Sequence, residues 1–357
     1  MAASVDWSMG SAAPRLADWR AAAQVGRRVA GPGFPVPAVE RARLREDLSE
    51  LVPHAESLIL GFTGLSLDGS RSRPWVMSRG EWIDQNLQAL QRLLEPLAAR
   101  MLAPRASRSE LRRKALGAQV GLLLGYVSRK VLGQYDVFVP PDDEGTLYFV
   151  GPNVAEMERR FRLPPRDFRL WIALHETCHR VQFGAAPWLR AHLQRLVDEY
   201  FDTISLDGKE LLRQLRRGIE EARTGAIEWR GVGILFLLMS PEQRDLFGRM
   251  QALMSLLEGH ASYVMNVVAA GRVHDLERMR RALKERRRAP GLERAFQQAI
   301  GFESKIRQYG SGERFVRETV ELAGMEGFNR VWSGPANLPT LAEVSSPARW
   351  VERVAGG

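Results

Sequence analysis

The 357-residue sequence contains one cysteine, Cys178, and no long hydrophobic run. A single cysteine excludes an internal disulfide and any metal site built from several cysteines, and it suits a reducing compartment. The longest apolar stretches, Val120–Val127 and Val232–Met239, are much shorter than the roughly 20 residues that span a bilayer. The first residues also lack the basic-then-apolar order of an export signal. The sequence therefore predicts a soluble, cytoplasmic protein that does not bind a membrane.

The basic surplus of the chain is modest and lacks accompanying aromatic residues. Lysine and arginine number 51 against 42 acidic residues, which gives a net charge of +9. The two most basic segments, Arg105–Lys114 and Glu277–Arg288, contain no aromatic side chain. Because nucleic-acid surfaces commonly combine basic groups with stacking aromatics, we interpret both segments as solvated helix faces. The composition does not favour a nucleic-acid partner.

Helical periodicity dominates the chain, so the sequence predicts a mainly α fold with a small β element. Two short segments rich in β-branched and aromatic residues, Tyr135–Pro140 and Thr146–Gly151, predict the strands of a hairpin. The predicted helices are Leu16–Arg28, Ala38–Leu60, Trp82–Met101, Ser109–Leu132, Pro165–Phe183, Pro187–Ser205, Lys209–Thr224, Pro241–Ala270, His274–Arg288, Leu292–Arg307 and Gly312–Ala323. We expect one domain over residues 1–357, with an N-terminal helical portion at 1–115 and a metal-binding, catalytic portion at 116–357.

The strongest chemical signal is an H-E-x-x-H motif in the predicted helix that follows Pro165. His175 and His179 are four residues apart, so they lie one above the other on a helix and can hold one Zn²⁺ together. Glu176 lies about 100° round the helix from His175, beside the ion without ligating it. From there it can take a proton from a zinc-bound water, whose pKa the metal lowers to about 7. The motif predicts a zinc site with Glu176 as the general base.

Chance could also produce this five-residue pattern, with the two histidines forming an ordinary surface or core pair. Two observations favour the metal interpretation. The chain has only six histidines, and two of them stand at this spacing around a glutamate. The motif also follows the apolar run Leu170–Leu174, where imidazoles without a polar partner would be costly.

A zinc site of this kind needs a third protein ligand, and Glu258 is the favoured residue. It shares a predicted helix face with Met254, Ala261 and Met265, so a carboxylate is set into an apolar stripe where a metal ion would be a natural partner. His260 is the alternative ligand. It lies about 200° from Glu258 on an ideal helix, so the two cannot face the same ion.

The chain resembles the actinobacterial zincin-like proteins that are described as zinc-dependent metallopeptidases, some of which are labelled as associated with coenzyme F420 biosynthesis. The resemblance runs over nearly the whole chain, and it is carried by Arg73–Trp75, Val131–Asp136, Val150–Asn153, Trp171–Phe183, Pro187–Arg190 and Met254–Ala261. It implies a mostly helical fold around a zincin core and a peptide or protein substrate. It also implies zinc on His175, His179 and Glu258, with Glu176 as the base.

Other parts of the site are left as alternatives by the sequence. Thr146–Val150 is interpreted either as an edge strand that pairs with an extended substrate or as part of a structural hairpin. Candidates for orienting the imidazoles are Asp198, Glu199 and Asn266, and candidates for stabilising an oxyanion are Tyr263 and Tyr309. Cys178 is interpreted as a packed free thiol.

Three functions are therefore considered. The first is a zinc hydrolase, most simply a metallopeptidase, in which Glu176 activates water. The second is a zinc-binding scaffold of the same fold without proteolytic activity. The third is an enzyme or accessory factor in cofactor metabolism, which the F420 label alone suggests.

Overall fold

The computed structural model describes residues 16–67, 72–102, 110–137, 145–203, 239–287 and 302–356. The predicted helix Lys209–Thr224 and the greater part of Leu292–Arg307 lie outside these residues. So do the last three residues of the predicted strand Tyr135–Pro140. Within the described part, no helix combines the length and the hydropathy needed to cross a membrane.

The described chain is mainly helical with a small sheet, which confirms the predicted fold class. The strands are β1 (Arg73–Met77), β2 (Gly133–Tyr135) and β3 (Thr146–Val150). The longer helices are α1 (Trp19–Ala30), α2 (Ala38–Thr63), α3 (Arg79–Leu102), α4 (Glu110–Ser128), α5 (Gly151–Arg160), α6 (Pro165–Ala185), α7 (Trp188–Asp202), α8 (Pro241–Ala269), α9 (Leu276–Arg287) and α10 (Phe302–Asn329). Short helical turns at Arg330–Ser333, Pro335–Asn337, Leu341–Ser345, Pro347–Trp350 and Val351–Ala355 follow.

The chain divides into two compact units, each with its own core. The first comprises Met1–Ala55 and Ser70–Glu176, and the second comprises Glu56–Gly69 and Thr177–Gly357. Helices α2 and α6 are continuous through the points of division. The predicted single domain with portions at 1–115 and 116–357 stays a prediction.

In the first unit, α1 and α4 pack backbone against backbone. Gly117, Gly121 and Gly125 stand at helical spacing on α4, and a Cβ on any of them would lie under 3.0 Å from a carbonyl oxygen of residues 18–26. These glycines therefore allow the two helices to pack closely. Helix α3 begins with a capping box, in which the Ser78 amide donates to the Glu81 carboxylate and the Glu81 amide donates to the Ser78 hydroxyl.

The sheet of the first unit has the strand order β1-β3-β2, and this order corrects one prediction. β3 pairs in parallel with β1 and antiparallel with β2. Both of its edges are thus hydrogen-bonded, so Thr146–Val150 is a central strand and the interpretation as a substrate-pairing edge strand is wrong. The hairpin of β2 and β3 is present, but β2 spans Gly133–Tyr135 and shares only Tyr135 with the predicted strand Tyr135–Pro140. Asp136 and Val137 are not in a strand.

Strand β1 was not predicted, because its sequence Arg-Pro-Trp-Val-Met follows a Gly- and Ser-rich stretch and contains Pro74. A proline is tolerated here because β1 lies at the edge of the sheet. The strand is formed through its pairing with β3, which local sequence does not report.

The second unit has an aromatic core and a close contact between two helices. Phe315, Phe328 and Trp350 are completely buried and pack in tilted or edge-on pairs. Helices α8 and α10 meet at Gly259 and Gly312, where a Cβ on either residue would lie under 3.0 Å from backbone atoms of the other helix. This contact fixes the part of α8 that carries Glu258.

Candidate metal centre

Helix α6 carries the H-E-x-x-H motif and buries most of its surface. Leu174, Cys178 and Val181 are fully buried, while His175 and His179 are partly exposed on another face. The two histidines lie one helical turn apart. Because the helix is continuous from Pro165 to Ala185, it positions His175 relative to His179 by itself.

Glu258 lies beside this pair on α8. His179 Nε2 and Glu258 Oε2 are 3.8 Å apart, and both side chains remain partly accessible, at 14% and 28% of their full exposure. One ligand atom from each of His175, His179 and Glu258 can be chosen so that all three lie within 4.8 Å of one another. The described structure therefore brings together the three residues proposed as ligands from the sequence.

The donor set suits zinc. Two imidazole nitrogens and one carboxylate oxygen are a common catalytic zinc set, which keeps a fourth position open for water or substrate. Zinc bonds to such ligands measure about 2.0–2.2 Å, so two bonds to one ion can span the 3.8 Å between His179 Nε2 and Glu258 Oε2. These three residues fit the zinc ion that the sequence predicts.

His260, the alternative ligand, lies elsewhere. Its ring is completely buried and stacks on Phe328, with the ring centroids 5.3 Å apart. Burial, and then the neighbouring charge of His179, lower its pKa to about 3, so the ring is neutral. His260 is therefore a core histidine in the described structure and is not part of the group that His175, His179 and Glu258 form.

A residue that sequence reasoning did not name, Gln182, contacts His179 directly. Gln182 Oε1 lies 3.0 Å from His179 Nδ1, and the Gln182 amide nitrogen donates to the Leu257 carbonyl oxygen at 2.8 Å. Its position in the sequence could have indicated this contact. Gln182 follows His179 by three residues, and residues three apart on a helix are neighbours. Gln182 is fully buried.

The residues named from the sequence for orienting the imidazoles make other contacts. Asp198 accepts from Gln194, Glu199 lies 3.6 Å from the Arg249 guanidinium, and Asn266 donates to Glu313.

The remaining candidates named from the sequence are Tyr263, Tyr309 and Cys178. Tyr263 packs near Phe62, and burial raises the pKa of its phenol. The side chain of Tyr309 lies outside the described residues. Cys178 is completely buried, and burial, followed by the charge of Glu258, raises the pKa of its thiol.

Glu176 is held against the backbone of strand β2 in the first unit. The side chain of Glu176 is nearly buried, at 7% exposure. A Cβ placed on Gly133 would come within 2.5 Å of Glu176 Cγ and 2.8 Å of Glu176 Oε1. Because Gly133 has no side chain, the Glu176 carboxylate can occupy the space beside the edge strand β2.

Comparison with known proteins identifies the family of the chain. The sequence profile of a family described as zincin-like metallopeptidase matches residues 17–351. The chain belongs to this zincin-like family. The match includes His175, Glu176, His179 and Glu258, together with Gln182.

A crystal structure from Chloroflexus aurantiacus, described as a "putative hydrolase with a novel fold", is similar to this zincin-like chain. The two sequences are 30% identical, and the alignment covers 96% of this chain and 100% of the other, with a TM-score of 0.71. The search of curated proteins found no match. This chain thus shares its fold with a solved structure over nearly its full length.

Proposed function

We propose that this protein is a zinc-dependent hydrolase that cleaves peptide bonds. The observation that carries the proposal is the group of His175, His179 and Glu258, with Glu176 on the same helix as the two histidines. Membership in a metallopeptidase family and similarity to a structure described as a hydrolase support it.

In this proposal, His175, His179 and Glu258 hold the zinc and Glu176 moves the proton. Zinc, when bound, polarises the scissile carbonyl and makes water more acidic. The Glu176 carboxylate accepts a proton from the attacking water and later donates it to the leaving amine. Its confined position beside Gly133 keeps the carboxylate oriented for both transfers.

We propose that an extended peptide is the substrate and that strand β2 is the edge along which it binds. Among the described strands, β2 lies at an edge of the sheet beside β3, and an extended peptide can bind by adding a strand to a sheet edge. Its first residue, Gly133, packs against Glu176, which would bring a peptide on that edge close to the base. The single, buried cysteine suits the cytoplasmic location predicted from the sequence. The association with F420 metabolism stays a prediction from the resemblance.

A peptide-library digest tests this function. Zinc-loaded protein at neutral pH is expected to cleave members of the library, and a chelator should abolish cleavage until zinc is restored. His175→Ala should lose both bound zinc and cleavage, because two ligands hold the ion too weakly. His192→Ala is the control, since His192 packs edge-on against Trp188 outside the centre.

Two results of the digest would contradict the peptidase. Cleavage that persists in His175→Ala would come from another site or a contaminant. Stoichiometric zinc without cleavage of any library member would favour the zinc-binding scaffold.

The contact of Gly133 with Glu176 gives a second prediction. Gly133→Ala forces the Glu176 carboxylate to move, and a misplacement of 1 Å can cost about 100-fold in rate. We expect kcat/KM for peptide cleavage to fall by roughly that factor while the zinc content stays at the wild-type value. Gly80→Ala is the matched control, because its new Cβ would meet nothing closer than 3.8 Å. Equal activity of the two variants would show that Gly133 does not position the base.

A further inference from the structure

The amide of Gln182 lies between the two helices that supply His179 and Glu258. Its oxygen is 3.0 Å from His179 Nδ1, and its nitrogen is 2.8 Å from the carbonyl oxygen of Leu257, the residue before Glu258. The same nitrogen is 3.0 Å from His260 Nδ1. All of these atoms belong to the second unit.

The Leu257 carbonyl determines which way this amide faces. A carbonyl oxygen only accepts hydrogen bonds, so the group 2.8 Å from it must be the NH₂ of Gln182. The amide oxygen must then face His179 Nδ1, and because that oxygen only accepts, Nδ1 must carry the proton. A neutral imidazole with its proton on Nδ1 has a lone pair on Nε2, the nitrogen nearest to Glu258.

The second hydrogen of the amide has a partner as well. It points to His260 Nδ1, which therefore accepts. The orientation of this buried glutamine is fixed by Leu257, since turning the amide over would set its oxygen against the Leu257 carbonyl oxygen and leave both without a donor.

We infer that Gln182 is a positioning residue that fixes the Nδ1–H tautomer of His179 and ties the helix of the two histidines to the helix of Glu258. Metal-bound histidines almost always donate their other ring N–H to a protein acceptor, and loss of that acceptor typically lowers metal affinity by about 10- to 100-fold. Gln182 provides the acceptor here. The inference rests on the proposed zinc site, but it requires no hydrolytic activity.

The first test measures the tautomer in metal-free wild-type protein. Long-range ¹⁵N–¹H NMR correlations of the six histidines distinguish a protonated Nδ1 from a protonated Nε2, and loss of one ring signal set in His179→Asn assigns His179. We expect His179 to carry its proton on Nδ1 at neutral pH. A proton on Nε2, or a mixture of the two tautomers as in a free imidazole, would overturn the inference. Because this measurement needs neither metal nor substrate, it is independent of whether the protein is a peptidase.

The second test compares variants by zinc affinity, measured in competition with a chromogenic chelator. Gln182→Met keeps the shape but removes the acceptor and both donors, and we expect zinc affinity to fall by roughly 10- to 100-fold. Gln182→Glu keeps an acceptor for His179 Nδ1–H and should recover most of the affinity, although it loses the donors to Leu257 and His260.

The control for these variants is Gln243→Met. Gln243 is also a buried glutamine of the second unit, and its amide donates to the Thr203 carbonyl oxygen and accepts from the Ser240 amide. We expect Gln243→Met to lower thermal stability while zinc affinity stays unchanged. Equal zinc affinity of Gln182→Met and Gln243→Met would refute the positioning role. If Gln182→Met does not fold, the His179 tautomer in the wild type and the zinc affinity of Gln182→Glu still test the positioning role.

Discussion

Glu176→Gln is expected to retain zinc and to lose peptide hydrolysis. The substitution keeps the size of the side chain in its confined place beside Gly133 but removes the group that accepts a proton. General acid–base catalysis contributes about 10²- to 10⁴-fold to the rate. Because Glu176 serves in both proton transfers, we expect kcat/KM to fall by about 10⁴-fold, the upper end of this range. The measurements are the initial rate on a peptide identified in the digest and the ratio of zinc to protein.

The control for this variant carries the same substitution in the second unit. Glu199 is half exposed beside Arg249, so Glu199→Gln should leave both the rate and the zinc content unchanged. Hydrolysis by Glu176→Gln at the wild-type rate would remove Glu176 from the reaction. Loss of zinc in Glu176→Gln, with zinc retained by Glu199→Gln, would instead identify Glu176 as a ligand, which its position on α6 does not favour.

The parts of the site that one helix determines could be predicted from the sequence. His175, Glu176 and His179 have their relative positions from helical periodicity alone, and α6 covers all three. Glu258 lies on a different helix, so periodicity alone does not place it near the histidines. It could still be predicted as a ligand, because an acid in an apolar stripe needs a partner. Whether these residues bind zinc and catalyse hydrolysis stays a proposal, which the variants above test.

The features that sequence reasoning missed depend on contacts between distant segments. β1 is a strand because β3 pairs with it, and this pairing also turns Thr146–Val150 from a proposed edge into a central strand. Gln182 is the exception, because this acceptor lies on α6 three residues after His179, whereas the orienting candidates named from the sequence lie on α7 and α8. Nothing in the local sequence reports that Gly133 packs on Glu176, since the two residues are far apart in the chain.

Gly312→Ala is expected to destabilise the second unit strongly. A Cβ at this position would lie under 3.0 Å from the Ser255 carbonyl oxygen, and the atoms it meets are backbone, so α8 and α10 must separate. Replacing a helical glycine by alanine normally stabilises a helix by up to about 1 kcal/mol. Here overpacking outweighs that gain, and we expect the free energy of unfolding in urea to fall by about 2–3 kcal/mol.

The same variant should also weaken zinc binding, because the contact it breaks adjoins Glu258. Gly259, next to that carboxylate, meets Gly312 directly, so separation of the helices draws Glu258 away from His179. Gly248→Ala, on the partner helix α8, provides the comparison, since its Cβ would meet only Leu341 Cδ1 at 3.5 Å. We expect that variant to be as stable as the wild type or slightly more so, with unchanged zinc affinity. If the two variants unfold at the same urea concentration, the glycine contact does not hold α8 in place.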